Sequence, residues 1–231
     1  LCDRRQRQMC IRDRFCSVIM EGRGIPAKGA FPGSFSYGND AVETVSYDPE
    51  EAKKLLEKSG WTDTDGDGYV DKDGQKLTIN WLTYPTRLEQ PKLAEYAQAT
   101  LKEIGIDVSV NNTSDHRTYA ENGEFDVYVS SLTTAPTGDP EYFFSSTVTG
   151  SKNYGNYQND EVTKLTEQLH QTFDTDERGK LAVELQQKIL DDDAYFFVSH
   201  LNMGIVTKAN VTGMAAHPCD YYEITADLDV Q

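Results

Sequence analysis

The residues best equipped for chemistry lie in one short run, "DTDGDGYVDKDG", residues 63–74. A calcium loop of the EF-hand kind wants oxygen ligands at positions 1, 3, 5, 7 and 9, glycine at 6 and a bidentate acid at 12. Asp63, Asp65, Asp67 and Asp71 fill positions 1, 3, 5 and 9, Gly68 fills 6, and Tyr69 offers its carbonyl at 7. Position 12 is Gly74, so the bidentate closer is missing, although Asp73 stands one place earlier. The segment that follows reads as a strand, not as the exiting helix of an EF-hand. Two readings stay open: a structural calcium site, or a Gly/Asp turn built as a tight hairpin.

A second group spans residues 133–160. Tyr142, Phe143, Phe144, Tyr154 and Tyr157 interleave with Asp139, Asn153 and Asn156. Aromatic side chains on loops beside polar ones suit a small-molecule cleft. Phe143 and Phe144 fit core packing as well, and Tyr154 and Tyr157 suit either role. Catalytic patterns are lacking: there is no GxSxG, P-loop, GxGxxG or HExxH spacing. His116, His170, His200 and His217 are scattered, and Ser131, Ser145 and Ser199 have no nucleophile context. Asp191, Asp192 and Asp193 crowd a helix C-terminus, where the dipole disfavours them, and nothing local explains it. The chain is not read as an enzyme, and a secreted hydrolase fragment is disfavoured.

These groups need elements to hold them. "YDPEEAKKLLEKSGW" predicts a helix: Asp48 caps it, Pro49 starts it, Ala52, Leu55 and Leu56 form its stripe, and Gly60 stops it. "KLTINWLTY" predicts a strand with Leu77, Ile79 and Trp81 on one face. A helix over "QPKLAEYAQATLKEIG", ended by Gly105, leads to the strand "IDVSV". Strand, helix and strand make a βαβ unit with a parallel pair. A short helix near 117–122 precedes a third strand, "DVYVSSL". Helices are expected over 160–173 and 176–190, then a long strand over "AYFFVSHLNMGIVTK" and an irregular tail. The class is α/β.

The whole chain of 231 residues has a formal net charge of -16 and 38% hydrophobic residues. That excludes nucleic acid as partner, since phosphate binding needs a basic face. No apolar run approaches the roughly eighteen residues of a membrane span, and no secretion signal is visible. Residues 1–14, "LCDRRQRQMCIRDR", hold five of the 22 basic residues and have no apolar period. "MCIRDR" resembles a translated sequencing-adapter run, so residues 1–14 are expected to be foreign and the true start lost. From residue 25 onward, 16 basic side chains face 35 acidic ones, a net charge of -19. Without Cys2 and Cys10, only Cys16 and Cys219 remain, too few for a disulfide framework or a Cys/His metal site.

Taken in order, "YDPEEAKKLLEKSGW", the acidic turn, "KLTINWLTYP", "AEYAQATLKEIGIDV", "EFDVYVSS", "TGDPEYFF", "NYGNYQNDEV" and "QQKILDDDAYFFVSH" resemble the C-terminal half of an ABC-importer solute-binding protein. The group is family 5, the dipeptide, oligopeptide and nickel binders. The stretch "SHLNMGIVTKANVTGMAAHPCDYYEI" is nearest the nickel-type members. The resemblance implies a type II periplasmic-binding-protein fold, with residues 15–193 forming most of the second lobe. Residues 194–231 would return to a first lobe that is mostly missing. It implies a monomer that captures its ligand between lobes and presents it to a membrane permease. The location would be extracytoplasmic, either periplasmic or as a lipoprotein anchored at the cell surface.

Ligand contacts are expected from Asp139, Tyr142, Asn153, Tyr154, Asn156 and Tyr157, with Asp139 shaping the loop. Peptide binders of the family carry an aspartate before the "GDP" segment that pairs with the ligand amine; Pro136 stands there. Nickel binders can use a histidine on the following loop; "TGSKNYGNYQND" has none. A metal chelate held by Tyr, Asn and Lys152 fits that loop, so the transported ligand is expected to be nickel as a chelate. The alternatives are a peptide receptor of an ABC importer, and a calcium-dependent interaction module on Asp63, Asp65, Asp67 and Asp71. Family members often carry such an acidic turn away from the cleft, which favours a turn or a structural cation.

Overall fold

The structure, a computed structural model, describes residues 11–215 and 224–231. Cys2, Cys10, His217, Cys219 and most of residues 1–14 lie outside the described residues. The chain forms two compact units: Leu1–Glu21 with Val45–Ser131, and Gly22–Thr44 with Leu132–Gln231. These divisions differ from the boundaries expected at 14/15 and 193/194. The reason is that residues 22–44 pack with the C-terminal half.

Along the chain the strands are β1 (Gly24–Pro26), β2 (Asp71–Lys72), β3 (Gln75–Lys76), β4 (Thr78–Thr83), β5 (Asp107–Asn112), β6 (Val127–Tyr128), β7 (Ser199–Leu201), β8 (Val211–Thr212) and β9 (Asp229–Val230). The principal helices are α1 (Pro49–Lys58), α2 (Glu89–Lys102), α3 (His116–Glu121), α4 (Asp160–Gln171) and α5 (Thr175–Asp191). Among the described residues no helix is long and apolar enough to cross a membrane.

In the first unit a three-stranded sheet runs β5-β4-β6, all parallel, as the βαβ order requires. Trp81 sits opposite Val110 and Val127 in register. The face carrying Leu77, Ile79 and Trp81 is only half-buried; the tightest burial comes at the carboxyl end, at Leu82, Thr83 and Tyr84. Helix α2 covers the sheet with Leu93, Ala94 and Ala97 and stops at Gly105, whose φ is +80°. Helix α1 starts as expected: the Asp48 carboxylate accepts the Glu51 N–H at 3.0 Å. It buries no residue, and Leu55 is 54% exposed, so its stripe is only partly covered.

The second unit is built on α4 and α5. Phe31, Phe143, Phe144, Val148, Val162, Leu169, Leu185 and Ile189 form its core. Both Phe143 and Phe144 are buried, so neither is available to a cleft. The arm of residues 22–44 is clipped on by β1 pairing antiparallel with β7. Buried Gln186 joins it from α5: its amide oxygen accepts the Ala30 N–H at 3.0 Å and its amide nitrogen donates to the Tyr37 carbonyl at 2.7 Å. The long strand expected over 194–208 is corrected: ladder pairing is confined to Ser199–Leu201. Tyr195 and Phe197 pack side by side against Phe143, so that run is apolar because its rings join the core.

Candidate functional site

The acidic run is a built turn. Asp73 and Gly74 both have positive φ, +54° and +75°, and close a two-residue hairpin between β2 and β3. Asp63 accepts N–H bonds from Gly66 at 2.7 Å and Gly68 at 3.0 Å, one on each oxygen. Asp65 and Asp67 each accept the N–H two residues on. Asp71 accepts the Thr64 N–H and hydroxyl, which hold its carboxyl below the ordinary value. Oxygens of Asp63, Asp65 and Asp71 lie within 4.8 Å of one another, and Asp67 stands outside that group. Three converging carboxylates fall short of the six to eight oxygens calcium takes, and Gly74 is consumed by the hairpin.

The second group of expected site residues is placed on one loop of the second unit and partly divided. Asp139 is paired with Arg178, whose Nε and Nη2 donate to its two oxygens at 2.8 and 2.6 Å. Burial alone would raise the Asp139 carboxyl; the Arg178 bonds and charge, with the Glu141 N–H, outweigh it and hold the carboxyl low. Tyr142 is exposed, and the Lys152 ammonium lies 3.1 Å from its hydroxyl and 5.3 Å from its ring centre. Asn153 brackets Tyr157, donating to its carbonyl at 2.8 Å and accepting its N–H at 3.0 Å. Asn156 is exposed with φ +51°, and Tyr154 is half-buried. An open concavity of about 350 Å³ brings Asn153, Asn156 and Tyr157 together with Asn159 and Thr163, whereas Asp139, Tyr142 and Tyr154 are not in its lining.

Sequence reasoning missed a cluster at the carboxyl end of the parallel sheet. Tyr84 stacks on His116, with ring centres 4.1 Å apart. His116 Nδ1 is 2.6 Å from the Tyr128 hydroxyl. Burial, helped by Arg117, holds its imidazole below the usual value. The Tyr84 hydroxyl accepts the Ser131 N–H at 3.1 Å, and Gln90 donates to the Ser131 hydroxyl at 2.7 Å. The buried Thr83 hydroxyl and Gln90 carbonyl oxygen have no partner in the protein. The signal was present in the topology: ligands of open parallel sheets bind outside the carboxyl ends of the strands.

The first unit carries polar and aromatic groups at the carboxyl edge of its parallel sheet, and the second unit carries an Asn/Tyr loop. Residues 12–155, more than half of the chain, match the bacterial extracellular solute-binding proteins, family 5 middle region, and the chain belongs to that family. It is 31% identical over 225 residues to the oligopeptide-binding protein AppA of Bacillus subtilis, covering 92% of this chain and 41% of AppA. It is 29% identical over 197 residues to the nickel-binding periplasmic protein of Escherichia coli, covering 81% of this chain and 37% of the relative. The structure of AppA with a nonapeptide matches with a TM-score of 0.76 at 26% identity, over 91% of this chain and 43% of that one. Staphylococcus aureus NikA with Ni(L-His)2 matches at 0.78 and 24% identity, over 97% and 46%, which shows the shared fold. The chain thus spans about two fifths of the length of the curated relatives it matches. The family is one of solute-binding proteins, not of enzymes.

Proposed function

We propose that the chain is the larger part of one half of an ABC importer's substrate-binding component, which captures its solute outside the cytoplasm and delivers it to a permease. The solute is nickel held as a chelate. One observation carries the choice over a peptide. The acidic groups of the "TGDPEYFF" segment are already engaged, Asp139 and Glu141 by Arg178 and Glu141 also by His170. Pro136, where the family's peptide binders place an aspartate, is buried. No carboxylate of that segment is left to pair with a peptide amine. Neutral polar groups line the concavity of the second unit, among them Asn153, Asn156 and Tyr157, and suit a chelate's organic shell. The similarity to AppA favours a second reading, a peptide receptor.

Native mass spectrometry of the full-length protein, purified without chelator, separates the two. An added mass equal to a nickel–small-ligand complex is the expected result. A distribution of peptide masses would overturn it in favour of the second reading.

A further inference from the structure

We propose that residues 153–159 form a latched strap, fastened to the end of α5 by the Asp192 carboxylate through Tyr157 and Asn159. The Tyr157 hydroxyl donates to Asp192 Oδ2 at 2.5 Å, and Asn159 Nδ2 donates to the same oxygen at 2.7 Å. Asn159 works on both sides at once. Its Oδ1 caps α4, accepting the N–H groups of Glu161 at 2.9 Å and Val162 at 3.2 Å. An amide side chain can accept those cap bonds on its oxygen while its nitrogen donates to a carboxylate. One turn earlier on α5, Lys188 donates to Glu161 at 2.5 Å and closes the same seam.

The position of Asp192 is otherwise unfavourable. It is the C-cap residue of α5, at the negative end of the helix dipole and between two more aspartates. Its two donors account for it, and they hold its carboxyl below the ordinary range. Within the strap the Asn153 side chain locks the Tyr157 backbone, and Asn156 takes the left-handed conformation that asparagine tolerates in turns. The concavity of about 350 Å³ runs along the strap. Tyr157 and Asn159 already line that concavity, and unlatching releases the phenol and the amide from Asp192. The latch goes beyond the proposed function and stands without it, because it is built from contacts inside the second unit.

The test is amide hydrogen exchange on the full chain, with no solute added. Asn159→Asp keeps the helix cap, since Asp caps as well as Asn, but removes the donor and sets two carboxylates together. It is expected to speed exchange of the 153–158 amides at least tenfold while the first turn of α4 keeps its protection. Adding Asp192→Asn to that variant restores one amide facing one carboxylate, with donor and acceptor exchanged, and is expected to return protection to near the starting level. Tyr157→Phe is expected to loosen the strap partly. The proposal is overturned if Asn159→Asp leaves strap exchange unchanged, if the paired exchange brings no recovery, or if faster exchange spreads through α4 and α5. None of these readouts depends on solute, so a failed latch and a failed solute assignment remain distinguishable.

Discussion

Arg178→Ala is expected to be among the most destabilising single changes in the second unit. The guanidinium donates five hydrogen bonds: two to Asp139, one to Glu141 at 2.9 Å, and one each to the Leu169 and Thr172 carbonyls at 2.6 Å. Those carbonyls stand at the C-terminal end of α4, where Leu169 also accepts the Thr172 N–H at 3.3 Å, so one side chain ties a helix end to two acids. The Arg178 side chain is 13% exposed, Glu141 24% and Asp139 40%. Breaking a buried pair by removing one partner costs about 3–5 kcal/mol. The half-exposed Asp139 lets water screen part of that, so about 3 kcal/mol is expected in urea unfolding at pH 7. Arg178→Lys keeps the charge but loses the fork and should recover less than half.

The pH dependence checks the same reasoning. Both Asp139 and Glu141 are held low; burial opposes this, and the Arg178 bonds, joined by those of the Glu141 N–H and His170, prevail. Folded-state values below the unfolded ones mean stability that is present above the unfolded carboxylate pKa and is lost as pH falls through the folded values. Arg178→Ala should therefore shrink the acid-side loss of stability as well as the neutral-pH value. A double-mutant cycle with Asp139→Asn should show coupling above about 1 kcal/mol. A loss below about 1 kcal/mol for Arg178→Ala, or a cycle that closes to zero, would refute the clamp. Asp139 would then be an ordinary surface acid open to a ligand.

His200 is pushed down to about 4 by burial, with Nε2 3.0 Å from the Asn39 amide oxygen. Its neutral form belongs to the fold, so its contribution is complete above pH 6.5 and is lost as pH falls from 6.5 toward 4. About 2 kcal/mol should disappear between pH 7 and 5, and His200→Gln should remove that slope in urea unfolding measured at both pH values. Asp63→Ala should lower Tm by about 3 °C with chelator present, because both oxygens hold N–H groups without an ion. A drop seen only in calcium would assign the loop to a cation instead.

Local signals were legible and long-range polar ones were not. Asp48 and Pro49, Gly60, Gly105 and the βαβ order act within a few residues, and the structure places each as its chemistry predicts. The Asp73-Gly74 hairpin was legible as one of two readings, because Asp and Gly together tolerate the left-handed turn. Gln186 could not be found this way: an amide on a helix reads as surface, and its partners Ala30 and Tyr37 lie 156 and 149 residues away. The same distance hid the pairing of β1 with β7 and made 194–208 look like one long strand. A run of aromatics says that rings are buried but not whether a ladder accompanies them.

Asp192 makes the limit concrete. Its sequence position breaks the dipole rule, and that violation was visible without any structure. What resolves it lies 33 and 35 residues earlier, in Asn159 and Tyr157. A residue that contradicts its local context is a pointer to a distant partner, since the cost must be offset somewhere. Asp139 shows the converse. It sits in a motif, "GDP", where family resemblance suggests a ligand contact, and Arg178 uses up both its oxygens across 39 residues. Local type told which side chains had chemistry to offer. Only the fold decides which of them are already engaged.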